Sequence, residues 1–243
     1  MTLTLAAAQS ASLPGDIAGN VAHHLGFVAQ AAARGADLLV FPELSLTGYE
    51  LGIARACAIQ PDDARLAPLR DAAERHGMIV VAGAPIQARD LHIAALAFLP
   101  GGTVSVYAKQ HVHDSELPVF APGEGGQDLA AANQRVALAI CFDATHPAHA
   151  TAAAGRGARV YAASVMIDAA GYTRKTTLLQ GYACEHRMAV LMANYSGVTG
   201  GEESAGGSTI WGEDGGVVAT APHAGEALLI ATQEKTGAAW QAV

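Results

Sequence analysis

Apolar positions along this chain follow two rhythms, and the switches between them predict alternating strands and helices. Residues 3–9 and 37–41 are short continuous apolar runs of buried-strand type, the second ended by Pro42. Between them Val21, Leu25, Val28 and Ala32 recur at helical spacing, so 21–34 reads as a helix stopped by Gly35. Leu66, Leu69, Ala72 and Ala73 place a second helix over 62–76, closed by Gly77. Strands follow at 78–84 and 93–99, the latter joined through Pro100-Gly101-Gly102 to a strand at 104–107 in a tight hairpin. Further along, 136–140, 160–167 and 189–194 read as strands, alternating with helices at 147–155 and 173–188. Three short apolar runs in the tail, 209–211, 217–219 and 227–230, are separated by glycines and predict an antiparallel meander. The glycine-rich stretches 122–126 and 197–207 read as loops. No repeat or low-complexity tract marks a boundary, so residues 1–243 are read as one domain, a mixed sheet with paired helices.

Composition narrows what such a domain does. A chain of 243 residues fits one core, since cores grow to roughly 250–300 residues before chains split. Formal net charge is −8 with only 14 Lys and Arg, which argues against the concentrated basic surface that nucleic-acid binding needs. No apolar run reaches the roughly 18 residues of a membrane helix, and the first residues lack a charged leader. The expected setting is therefore cytoplasmic, with no membrane partner. Three cysteines, at 57, 141 and 184, have no CxxC pairing and read as reduced thiols.

Candidate chemistry lies in three strings: Phe41-Pro42-Glu43, Tyr107-Ala108-Lys109 and Ala139-Ile140-Cys141-Phe142-Asp143. Each ends an apolar, strand-like run on a reactive side chain, where a sheet presents groups to a cleft. A carboxylate at Glu43 can take the proton of a thiol at Cys141, and an ammonium at Lys109 can stabilise the oxygen that becomes negative when a carbonyl or nitrile is attacked. Taken singly, each has an ordinary reading: a buried small thiol, a solvated carboxylate, a surface lysine. His111-Val112-His113 offers two imidazoles on one strand face, too few for a metal site of another hydrolase class. No metal and no cofactor is expected.

Together these strings resemble the nitrilase superfamily, carbon–nitrogen hydrolases with a Glu-Lys-Cys triad. The resemblance extends over Thr47-Gly48-Tyr49, Gln110-His111, Glu116 with Phe120-Ala121-Pro122-Gly123, and later Glu185, Asn194 and Gly207-Ser208. It implies an α+β fold, a four-layer α-β-β-α sandwich, with Glu43, Lys109 and Cys141 meeting at one end of the sheets and Glu116 as a second carboxylate that positions Lys109 or substrate. It also implies a homodimer, and an oxyanion held by Lys109 and the backbone N–H of Phe142. Tyr49, His113, Phe142, Met166 and Ile167 are expected to shape the substrate pocket, with His146 close enough in sequence to line it. Arg174 and Lys175, beyond the strand carrying Met166, could meet a substrate carboxylate, but a solvated helix face is the expected reading.

Departures from the family pattern narrow the substrate. The arginine expected after the Cys-aromatic-Asp string is Thr145 here, and the glutamate after the proline is Ala148, so carbamoyl amino acids lose a familiar anchor. The nitrilase-type Cys-Trp-Glu is replaced by Cys141-Phe142-Asp143, and a slot often held by tryptophan is Met166, a flexible apolar wall. A small amide is the expected substrate, cleaved through a Cys thioester to release ammonia or an amine. The alternatives are an N-carbamoyl hydrolase, a nitrilase, an acyl-transferring member or a non-enzymatic one.

Overall fold

A computed structural model describes residues 1–243. Two sheets stack face to face, and a pair of helices covers the outer side of each. The first sheet runs in the order β15-β14-β1-β2-β3-β4-β5. It contains β1 (Leu3–Gln9), β2 (Leu38–Val40), β3 (Ile79–Gln87), β4 (Leu91–Phe98), β5 (Val104–Ala108), β14 (Ala227–Gln233) and β15 (Gln241–Ala242). The second runs β13-β12-β9-β8-β7-β6, built from β6 (Leu129–Ala131), β7 (Gln134–Ile140), β8 (Val160–Ser164), β9 (Ala189–Ala193), β12 (Thr209–Trp211) and β13 (Val217–Thr220). A small hairpin, β10 (Val198–Thr199) with β11 (Glu202–Glu203), stands apart. Helices α1 (Ile17–Ala32) and α2 (Ala67–His76) cover the first sheet; α3 (Pro147–Gly155) and α4 (Ala169–His186) cover the second.

The period of two along each strand assigns its side chains to layers. Leu3, Leu5 and Ala7 of β1 join Val160 and Ala162 of β8 in the core between the sheets. Their neighbours Ala6 and Ala8 pack under α1, while Tyr161 and Ala163 pack under α3 and α4. Both faces of the central strands are therefore buried, which explains their continuous apolar runs.

Strand direction gathers the reactive ends. β1, β2 and β3 are mutually parallel, and β5 is antiparallel to β4, itself antiparallel to β3, so β2 and β5 end on the same edge. In the second sheet β7, β8 and β9 are parallel. Ligands of such sheets bind outside the carboxyl ends of the strands.

Several boundaries differ from the sequence reading, each for a local reason. α1 begins at Ile17 because the Asp16 side chain accepts from the Gly19 N–H and caps it. The segment read as one helix over 62–76 starts as a 3-10 turn, Ala64–Leu66, and becomes α-helical at Ala67 with Pro68 in its first turn. α4 starts at Ala169 under the Asp168 cap, and β8 stops at Ser164, short of residue 167. The tail is not a meander: β12 and β13 pair with each other, but β14 crosses to the first sheet and runs antiparallel to β1. The loop 197–207 holds the β10–β11 hairpin, turned by Gly200 and Gly201 at positive φ. His111 and His113 lie after β5 in a turn, not on a strand.

Candidate active site

Glu43 leaves the end of β2 through Phe41 and Pro42, and the turn that carries it rests on β3. The Leu46 N–H donates to the Gly83 carbonyl at 2.9 Å, and the Gly83 N–H donates to Ser45 Oγ at 3.2 Å. Leu44 adopts φ 53°, and a Cβ on Gly83 would lie 2.2 Å from the Leu44 nitrogen. Only glycine at 83 admits this close approach of two backbones. Lys109 leaves the end of β5 with its N–H donating to the Ile93 carbonyl at 2.8 Å and its own carbonyl accepting from the Gly123 N–H at 2.7 Å.

The two side chains meet in a sealed cluster. Lys109 Nζ donates to Glu43 Oε1 at 2.7 Å and to both oxygens of Glu116 at 2.7 Å. None of the three residues exposes more than 1% of its surface. Glu116 also accepts from the Tyr49 hydroxyl at 2.6 Å and from the His113 N–H at 2.8 Å, so its charge is fully partnered. Glu43 is different: Oε2 is buried with no conventional hydrogen-bond partner, and the Cys141 thiol is close enough to act on this carboxylate.

Cys141 is the first residue beyond β7, at the head of a 3-10 turn, Cys141–Thr145, with φ 38°. A non-glycine residue held in that region marks a sharp strand-to-turn corner that stores strain. Its thiol points to the Met166 carbonyl at 3.4 Å.

Burial sets the protonation states. It pushes the Glu43 carboxyl up to about 7, with Lys109 pulling down and Glu116 pushing up. It also pushes the Cys141 thiol up to about 12; the Glu43 charge adds to this, and Lys109 and Lys175 oppose it. Cys141 keeps part of its surface open to the cavity, yet enough protein surrounds it for burial to dominate. Burial alone would lower the Lys109 ammonium, but the charges of Glu43, Cys141 and Glu116 outweigh it and hold the group above its ordinary value. Near neutral pH the proton therefore rests on sulfur.

A cavity of about 210 Å³ opens onto the thiol. Tyr49, His113, Phe142 and Met166 line it, as the sequence reading expected. Ile167 does not: its side chain is 1% exposed and packs in the core under α4, while its N–H donates to Asn194 Oδ1 at 2.9 Å. Of these two neighbours, only the methionine reaches the cavity. His146 is also not a wall; it stacks on His111 at 4.0 Å between ring centroids and meets the Phe142 ring edge-on. Glu185 is exposed on α4, away from the cluster. Lys175, expected on a solvated face, lines the cavity together with Asp168 and Glu202. Larger hollows, of about 340, 400, 490 and 570 Å³, lie elsewhere on the molecule, and none of these is lined by Glu43, Lys109 or Cys141.

Asp143 is the functional residue whose task the sequence did not disclose. It is fully buried, and its two oxygens tie the nucleophile turn to the lysine loop. Oδ1 accepts from the His111 N–H at 2.8 Å, the Gln110 N–H at 3.2 Å and His111 Nδ1 at 3.0 Å. Oδ2 accepts from the Tyr107 hydroxyl at 2.9 Å and the Ile140 N–H at 3.1 Å. Behind it, His149 bridges the hydroxyls of Tyr107 and Tyr161 at 2.8 Å each. The signal was an acid two residues after the cysteine; its partners are distant in sequence, and only the fold brings them there.

Stacked sheets jacketed by helices, with this cluster at the strand ends, define a hydrolase of carbon–nitrogen bonds other than peptide bonds. The sequence model for "Carbon-nitrogen hydrolase" matches residues 4–241, so the chain belongs to the carbon–nitrogen hydrolase family. It is 30% identical to an (R)-stereoselective amidase from Pseudomonas sp over 78% of this chain and 69% of that protein. Among solved structures it resembles the amidase from Nesterenkonia sp. AN1. A cysteine-to-alanine mutant of that enzyme in complex with butyramide aligns with TM-score 0.86 and 26% identity, covering 96% of this chain and 91% of that one. A glutamate-to-glutamine mutant carrying acrylamide added at the active site cysteine aligns with TM-score 0.85 and 26% identity, covering 94% and 92%.

Proposed function

We propose that the protein hydrolyses a small amide through a thioester on Cys141, with Glu43 as the base, Lys109 as the oxyanion partner and Glu116 as the group that orients Lys109. The observation that carries this reading is the buried Glu43 carboxylate, paired with Lys109 through Oε1, unpartnered at Oε2 and close enough to Cys141 for the thiol to act on it. In the first half, Glu43 takes the thiol proton as sulfur attacks the amide carbon, and the negative oxygen is met by Lys109 and the Phe142 N–H. Collapse breaks the C–N bond, and Glu43 returns the proton to the leaving nitrogen. In the second half, Glu43 takes a proton from water as it attacks the thioester; the carboxylic acid leaves, and the proton goes back to sulfur.

The preference for amides draws support from the butyramide and acrylamide bound by the Nesterenkonia relative and from the apolar Met166 wall. A single-domain cytoplasmic homodimer belongs to the same reading, and light scattering on the purified protein checks its mass. The central test is ammonia release from a panel of short amides, carbamoyl compounds and nitriles, with mass spectrometry of the trapped enzyme. Amide turnover with an acyl adduct on Cys141, both lost in Cys141→Ala, is the expected result. No turnover and no adduct with any of the panel refutes the reading. Analysis of the products formed with a candidate amine present, free acid against the new amide, separates hydrolysis from acyl transfer.

A further inference from the structure

The cavity carries three charges that the chemistry above leaves unused. Lys175, on the second turn of α4, lines it beside Cys141 and Met166. Every carboxylate in the molecule lies more than 4.0 Å from its ammonium, whereas Lys109 forms ion pairs with Glu43 and Glu116. Asp168 Oδ1 accepts from the Gly171 N–H as the cap of α4, and Oδ2 has no partner. Glu202, in the β10–β11 hairpin, is exposed and forms no ion pair. The hairpin is pinned to the start of α4 by a β-bridge between Asp168 and Ser204 and by the Ala205 N–H donating to the Ile167 carbonyl at 2.8 Å. The two acids and the lysine are thereby fixed around one opening.

Charge and size together restrict what fits. An anionic amide would meet one cation but two acids, and a cationic amide would have to pass the unpaired lysine. An amide with both signs satisfies each group at once, and charge-assisted hydrogen bonds are the strong ones. At about 30 Å³ per water, the cavity of about 210 Å³ holds the volume of roughly seven waters, which suits a ligand of about ten heavy atoms.

Resting on the amidase reading, we infer that the preferred substrate is a zwitterionic amide, an amino acid that carries its amide a few methylenes from the α-carbon. Its carboxylate meets Lys175, its ammonium faces Asp168 and Glu202, and its methylenes lie along Met166 as the amide carbon reaches Cys141.

Four amides of one length separate the charges: glutamine (both), glutaramate (carboxylate only), 4-aminobutyramide (ammonium only) and butyramide (neither). The expected result is that kcat/KM for glutamine exceeds each of the others at least tenfold, and that Lys175→Met lowers the glutamine-to-butyramide ratio at least tenfold. Equal or better use of butyramide by the wild type overturns the inference. So does a uniform fall across all four in Lys175→Met, which would assign the lysine to the chemical step. Calorimetric binding of the same four to Cys141→Ala ranks them without turnover. Should the wild type hydrolyse none of them, the amidase reading fails, while the order of binding still judges the charge selection: tightest binding of glutamine supports it and indifference to charge refutes it.

Discussion

Replacing Asp143 by asparagine changes one oxygen to an NH2 group in a site where all five partners are arranged as donors. Whichever way the amide turns, its nitrogen faces donors. The milder orientation points it at the Tyr107 hydroxyl, which can rotate to accept, and at the Ile140 N–H, which cannot. That N–H is then buried without a partner, at a cost of about 1–3 kcal/mol. The bonds that remain also lose the charge assistance of a carboxylate, about 1 kcal/mol each. With three such bonds left on Oδ1, the sum is about 4–6 kcal/mol, and with roughly 2–4 °C per kcal/mol for a chain of this size the melting temperature falls by about 15 °C. Function should suffer beyond stability, because the same carboxylate holds the Lys109 loop against the nucleophile turn. A displacement of about 1 Å there costs about a hundredfold in rate. Urea unfolding gives the stability, and steady-state amide hydrolysis well below the melting temperature gives kcat and KM separately, with the loss expected in kcat. A midpoint within 0.5 kcal/mol of wild type together with kcat within about twofold would refute the reasoning.

Other consequences can be checked in parallel. Glu43 is a competent base only when ionised, so kcat/KM should fall tenfold per pH unit below about 7 and level off above it; a pH profile flat from 5 to 9 would exclude Glu43 as the base. The raised carboxyl also has a sign for stability: the folded state favours the protonated form, so this contribution is present below pH 4.5 and is lost as pH rises through about 7. Glu43→Gln should therefore melt higher than wild type at pH 8 with the gap closing toward pH 4.5, and a gap independent of pH would contradict this. Gly83→Ala must drive the Leu44 backbone away by about 1 Å to relieve its 2.2 Å approach, which predicts about a hundredfold loss of activity; wild-type turnover in this variant would mean the Glu43 turn is not held by β3. Tyr49→Phe removes the 2.6 Å bond to Glu116 and should lower kcat several-fold, with circular dichroism unchanged.

The sequence disclosed the layers because both faces of the central strands are buried and their apolar runs stand out, and it disclosed Glu43, Lys109 and Cys141 because each follows such a run directly. What it concealed was set by contacts remote along the chain. β14 is apolar and glycine-flanked like β12 and β13, so nothing local says that it leaves them to pair with β1. Ile167 and Met166 are adjacent and both apolar, and only the fold shows that Met166 faces the cavity while Ile167 joins the core. Lys175 looked solvated because helical spacing says nothing of the hairpin β10–β11 folded over the start of α4.

One physical circumstance links the legible and the concealed parts. Glu43, Lys109 and Glu116 are buried where water screens poorly, so their charges are held by one another and, for Glu116, by the Tyr49 hydroxyl and the His113 N–H. Each oxygen of Glu116 and one of Glu43 has a donor, while Glu43 Oε2 has none, and Cys141 is close enough to act on that carboxylate. A pair so placed is costly to keep and poised to react, which fits the general finding that strongly perturbed groups gather where chemistry is done. The surrounding scaffold answers the same demand: Asp143 and Gly83 contribute no chemistry, yet they fix the turns that carry the thiol, the ammonium and the carboxylate. Positioning on this scale requires strands that end together, and the parallel order β1-β2-β3 facing β7-β8-β9 supplies it.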